Sequence, residues 1–117
     1  MATSSALFVQ SHAAQGFAAP GNGEQANFLV VVTDPITGEP ITTLTQTNFK
    51  IQNHFSIPGQ ACGFTNNITT FNNTGSGAYH LQVKPQGCKW VAGDYLAQVI
   101  VKGKLSTGQA TVKLSIR

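Results

Sequence analysis

The last third of the chain alternates strictly between apolar and polar residues. In Ala78-Tyr79-His80-Leu81-Gln82-Val83-Lys84, the set Tyr79, Leu81 and Val83 falls on one side and His80, Gln82 and Lys84 on the other. Tyr95, Ala97, Val99 and Val101 repeat the pattern. So do Ala110, Val112, Leu114 and Ile116, opposed by Thr111, Lys113, Ser115 and Arg117. Side chains on an extended backbone alternate between its two faces, so a period of two held over three segments predicts strands with one buried face each. Gly103 to Gly108 then links the last two as a short hairpin loop.

Upstream signals point the same way. Phe28 to Val32 is apolar at every position, which predicts a strand buried on both faces within a sandwich. Thr33-Asp34-Pro35-Ile36-Thr37-Gly38-Glu39-Pro40 ends it, because two prolines remove backbone donors and the glycine permits a turn. Ile41 to Leu44 reads as a short edge segment and Phe49 to Gln52 as another strand. Asn53 to Gly77, rich in Asn, Thr and Gly, holds one short strand around Ile68 to Phe71. Helical signals are nearly absent. About seven strands with such turns make an all-β chain, folded as a single antiparallel β-sandwich. A length of 117 residues suits one domain.

The sandwich is expected over residues 28–117, with residues 1–27 as an N-terminal extension. Within it Ala6, Leu7, Phe8 and Val9 have strand character, and Gly16 to Gly23 reads as a flexible linker. Two readings stay open. The segment is the first strand of the chain's own sandwich, or it is an assembly arm that adds a strand to a neighbouring subunit and so builds a fibre or lattice.

Charge narrows the function. Seven Lys and Arg and four Asp and Glu are all the formal charges in the chain, or 9%, against about a quarter in an average soluble domain. The surface must therefore be made from Thr, Asn, Gln, Ser and Gly, which suits packing against other proteins or an extracellular setting. Such a chain has few groups for proton transfer or metal binding, so no catalytic residue, metal site or cofactor is expected. The net charge of +3 comes from scattered lysines and one arginine, poor equipment for nucleic acid. No apolar run approaches the length of a membrane span, and the N-terminus lacks the basic region of a signal peptide.

Cys62 and Cys88 each sit in a turn-rich stretch. Two loop cysteines in a small, charge-poor β protein point to a disulfide, which closes a loop of about 27 residues and contributes about 3–4 kcal/mol in the chain-entropy model. The alternative is two free thiols. A disulfide favours an extracellular, cell-surface or periplasmic location. His12, His54 and His80 lack metal-ligand spacing and read as surface or loop residues. Asn67-Ile68-Thr69 and Asn72-Asn73-Thr74 fit the N-glycosylation pattern. Phe55, Phe64, Phe71 and Trp90 surround the loop-rich region with amides nearby, a combination that serves either as a glycan-contact platform or as core packing.

The order Val-Thr-Asp-Pro-Ile-Thr-Gly-Glu-Pro-Ile (32–41), Leu-Thr-Gln-Thr-Asn-Phe (44–49), Gly-Ala-Tyr-His-Leu-Gln-Val (77–83) and Trp-Val-Ala-Gly-Asp-Tyr-Leu-Ala-Gln-Val (90–99) resembles bacterial immunoglobulin-like domains. It is similar to the modules of macroglobulin-like and invasin-like surface proteins, with their D-x-x-G-x-P-V turn and G-x-Y strand opening. The resemblance covers residues 28–117. It implies an Ig-like sandwich that serves as a spacer, an adhesin or an assembly subunit, and it carries no catalytic residues. It also implies that Tyr95 acts like a tyrosine corner, its ring in the core and its hydroxyl near a loop carbonyl. The expected function is a non-enzymatic structural module that associates with itself or with other surface proteins. The alternative is a secreted domain that binds a glycan or a protein receptor.

Overall fold

A computed structural model describes residues 7–14, 26–57, 64–85, 93–103 and 106–116. Seven strands run through these residues: β1 (Phe8–Ala13), β2 (Ala26–Thr33), β3 (Phe49–Ile57), β4 (Ile68–Asn73), β5 (Ala78–Val83), β6 (Gly93–Lys102) and β7 (Thr107–Ile116). They form two antiparallel sheets, one ordered β1-β2-β5-β4 and the other β3-β6-β7. The helical content among the described residues is one 3-10 turn, Gln46–Asn48.

The period of two sets the core. Tyr79, Leu81 and Val83 of β5, Tyr95, Ala97, Val99 and Val101 of β6, and Val112, Leu114 and Ile116 of β7 are buried between the sheets, while Ala110 is half-buried at the margin. Two aromatic groups fill the space toward the two ends. Phe64 lies 6.0 Å from Phe28 and 6.1 Å from Tyr95, ring centre to ring centre. Phe49, Phe71 and Tyr79 form the second group, at 5.0 to 5.9 Å. Tilted or stacked rings at such distances add about 0.5–1.5 kcal/mol per pair beyond the area they bury.

Tyr95 is fully buried near the start of β6, as expected. A hydroxyl tie to a loop is made by Tyr79, which donates to Ile41 O at 2.6 Å and accepts from Leu44 N at 3.2 Å. That tie explains why Ile41 to Leu44 is not the edge strand expected of it. Leu44 turns inward and is buried, and the one bridge nearby pairs Pro40 with Thr33.

Two expectations for the other strands need correction. β3 and β4 run further than predicted, to Ile57 and Asn73, so the Asn-rich region holds more strand than its composition suggested. Phe28 to Val32 is buried on one face only. Phe28, Val30 and Val32 are buried, whereas Leu29 is 44% exposed. A run of apolar residues carries no information about which face meets water.

Of the N-terminal segment, the described residues 7–14 join this chain's own sandwich. Phe8 to Ala13 pairs antiparallel with Thr33 to Phe28 of β2, and Leu7 N donates to Thr107 O at 3.1 Å. Val9 is buried in the common core. Gly108 sits where Leu7 and Val9 pass β7, and a side chain there would collide with both. On the other lateral side, Thr65 and Asn66 cover the β3 edge. Asn66 N donates to Ile51 O at 2.8 Å, and Asn66 Oδ1 and Thr65 Oγ1 accept from Ile51 N and Asn53 N. Asn66 adopts the left-handed region, φ 56°, which Asn tolerates better than most residues.

Candidate interaction face

The two outer faces differ in charge. On the outside of β3-β6-β7, the register brings together Lys50, Ile100 and Gln109, then Gln52, Gln98 and Thr111, then Leu96 and Lys113. Lys50, Lys102 and Lys113 are exposed on it, with Asp94 at its margin. His54 Nε2 meets Gln98 Oε1 at 2.9 Å, so this histidine serves as a surface hydrogen-bonding residue.

The outer face of β1-β2-β5-β4 carries no Asp, Glu, Lys or Arg in any of its strands. Its cross-strand rows read Asn27, Gln82 and Thr70; His12, Leu29, His80 and Asn72; Gln10, Val31 and Ala78; and Phe8 and Thr33. Lys84, one residue beyond β5, stands at the rim. Leu29, 44% exposed, forms an apolar centre with the half-buried Val31 and Ala78, and Phe8, 51% exposed, stands at the β1 corner of the face. Amides and imidazoles surround that centre. Asn27 Oδ1 accepts from both His80 Nε2 and Gln82 Nε2 at 2.9 Å, which ties three polar side chains together. An apolar centre depleted of charge within a polar rim is the composition of a protein–protein contact. The other outer face exposes Leu96 to 40%, so what sets β1-β2-β5-β4 apart is the absence of ionic side chains from its strands.

The clefts offer less. One, of about 360 Å³, lies where the Ile41–Asn48 segment meets the β6–β7 loop, lined by Leu7, Ile41, Thr43, Leu44 and Asn48 among others. Another, of about 390 Å³, lies beside Phe49, Lys50, Asn66 and Ile68. Neither is lined by His, Cys, Asp or Glu among the described residues, which also hold no cluster of three such groups. No helix among them is long and apolar enough to cross a membrane.

Among the described residues, those singled out from the sequence are not brought into one site. Phe64 is fully buried between Phe28 and Tyr95, so its ring is closed to a sugar. Phe71 is half-buried and stacks on Tyr79. Phe55 pairs through its backbone with Leu96; its side chain lies outside the described residues, as do Ala6, Cys62, Cys88 and Trp90. The proposed disulfide is therefore outside them too. Leu7, Phe8 and Val9 lie at the edge of the chain's own sheet. Asn67 spends its amide on Lys84 O at 2.9 Å, whereas Asn72 is exposed on β4.

No protein-family model and no curated protein matches the chain. Among solved structures, it is similar to the solution structure of the PKD domain of human KIAA0319. The likeness has a TM-score of 0.52 at 16% identity and covers 98% of this chain and 84% of that one. The fold is an Ig-like β-sandwich. Its four-and-three division of strands is that of constant-type immunoglobulin domains. At this identity the likeness concerns the fold alone.

Proposed function

We propose that this chain is a non-enzymatic structural module of an extracellular or cell-surface assembly, and that it associates with copies of itself. The observation that carries the reading is the outer face of β1-β2-β5-β4, which exposes Phe8 and Leu29 and bears no ionic side chain within its strands. Exposed charge normally keeps copies of a protein apart, and the strands of this face carry none. The turn motifs shared with macroglobulin-like and invasin-like modules, and the two cysteines in turn-rich stretches, support a place outside the cell.

A glycan-binding domain is the weaker reading, because Phe64 is closed off in the core and Phe71 is half-buried against Tyr79. Sedimentation of the full chain over a wide concentration range tests the proposal. The sedimenting mass is expected to rise above that of one chain as concentration increases. A mass that stays at one chain throughout removes self-association and leaves a receptor or glycan as the partner to seek.

A further inference from the structure

We infer that self-association is isologous: two copies dock outer face to outer face through β1-β2-β5-β4, about a two-fold axis near Leu29 and Val31, and the contact closes at a dimer. This rests on the self-association proposed above and adds its surface and its symmetry.

Charge selects the face. Two copies placed with their β3-β6-β7 faces together would set Lys50, Lys102 and Lys113 of one against the same three lysines of the other, with only Asp94 on each copy to offset them. Like charges placed face to face oppose a contact of this kind. The β1-β2-β5-β4 face opposes no such groups, and Lys84 stays at the rim. That face is complementary to itself.

Chemistry selects the centre. A two-fold axis near Leu29 and Val31 brings the apolar centre of one copy onto that of the other, with Phe8 folding over the edge. The polar groups around it, Gln10, His12, Asn27, His80 and Gln82, are donors and acceptors that can meet their equals across the axis. The fixed trio at Asn27, His80 and Gln82 limits the side-chain entropy lost on contact.

Area sets the strength. Four strands about 4.8 Å apart and six residues long, at about 3.3 Å each, present about 400 Å² of flat sheet per copy. Twice that is short of the standard size of a stable interface, so the contact is a weak, transient one that forms only at high protein concentration. A contact made by the same patch on both copies is satisfied by one partner, so it does not propagate.

Sedimentation of the full chain and three variants tests the inference. Wild type is expected to reach a limit of two chains. Leu29→Lys places two ammonium groups near the axis and is expected to weaken the dimer by at least about tenfold. Leu96→Lys, on the opposite outer face and 40% exposed, is expected to leave it unchanged. A charge at the face margin, Gln10→Lys, is expected to have an intermediate effect. Thermal unfolding of each variant verifies that it folds. Retention of the dimer by Leu29→Lys overturns the choice of face while leaving self-association standing. Growth of wild type beyond two chains overturns the closed symmetry. A wild type of one chain at every concentration removes both this inference and the self-association beneath it.

Discussion

Tyr79→Phe isolates one hydroxyl. Its ring packs 5.0 Å from Phe49 and 5.9 Å from Phe71, and phenylalanine keeps both contacts. What disappears is the donor to Ile41 O, 2.6 Å away, and the acceptor for Leu44 N, 3.2 Å away. Leaving a buried polar group unsatisfied costs about 1–3 kcal/mol. The amide of Leu44 sits on a residue that is 7% exposed, so it bears most of that cost. The carbonyl of the half-buried Ile41 bears less, since water can reach its surroundings. The sum is a loss of about 2 kcal/mol, an appreciable part of the stability of a small domain. In urea this moves the unfolding midpoint down by about 1 M, with an unchanged slope. Tyr79→Leu removes the ring as well and is expected to fall further. A midpoint for Tyr79→Phe within about 0.2 M of wild type would show that the Ile41–Leu44 segment is not held by this hydroxyl.

Other perturbations probe the remaining contacts. Gly108→Ala drives a methyl group into Leu7 and Val9 and is expected to cost about 1–3 kcal/mol, with faster hydrogen exchange in β1 than elsewhere; uniform exchange would show that β1 does not depend on that approach. Ser11 Oγ is buried in β1 without a hydrogen-bond partner among the described residues, so Ser11→Ala is expected to raise stability by about 1 kcal/mol in the same urea titration. A loss on that substitution would mean that the hydroxyl has a partner after all. Phe64→Ala opens a cavity between Phe28 and Tyr95 and is expected to cost about 3–5 kcal/mol. Phe71→Ala, at a half-buried ring, costs less; the reverse order would contradict the placement of Phe64 in the core.

The fold was legible wherever a strand has one wet and one dry face. Tyr79, Leu81 and Val83 alternate with His80 and Gln82 in the sequence because β5 separates the core from the surface, and β6 and β7 follow the same rule. The interaction face was hidden by the same logic. Leu29 and Val31 are apolar residues on the outward side of β2, and outward apolar residues look like core when only the one-dimensional pattern is read. Phe8 lies in a segment that the sequence leaves open between arm and first strand, and the residue opposite it, Thr33, comes from a distant part of the chain. The absence of ionic groups from one face becomes visible only when register places four strands side by side. Tyr79 was read correctly as inward, but its hydroxyl bonds reach residues 35 and 38 positions away, and local pattern says nothing of them.

The placement of β1 also governs how the module responds to traction. Leu7 meets Thr107 where β1 and β7 both begin, while Ile116 pairs with Gly93 at the opposite end of the sandwich. Tension applied through the first and last of these strands therefore draws β1 and β7 along their lengths in opposing directions. The hydrogen bonds from β1 to β2 and from β7 to β6 lie across that pull, so each ladder bears it as a row in shear. A module linked in series through these two strands yields by sliding whole strands, and its rupture rate is set by the unfolding barrier.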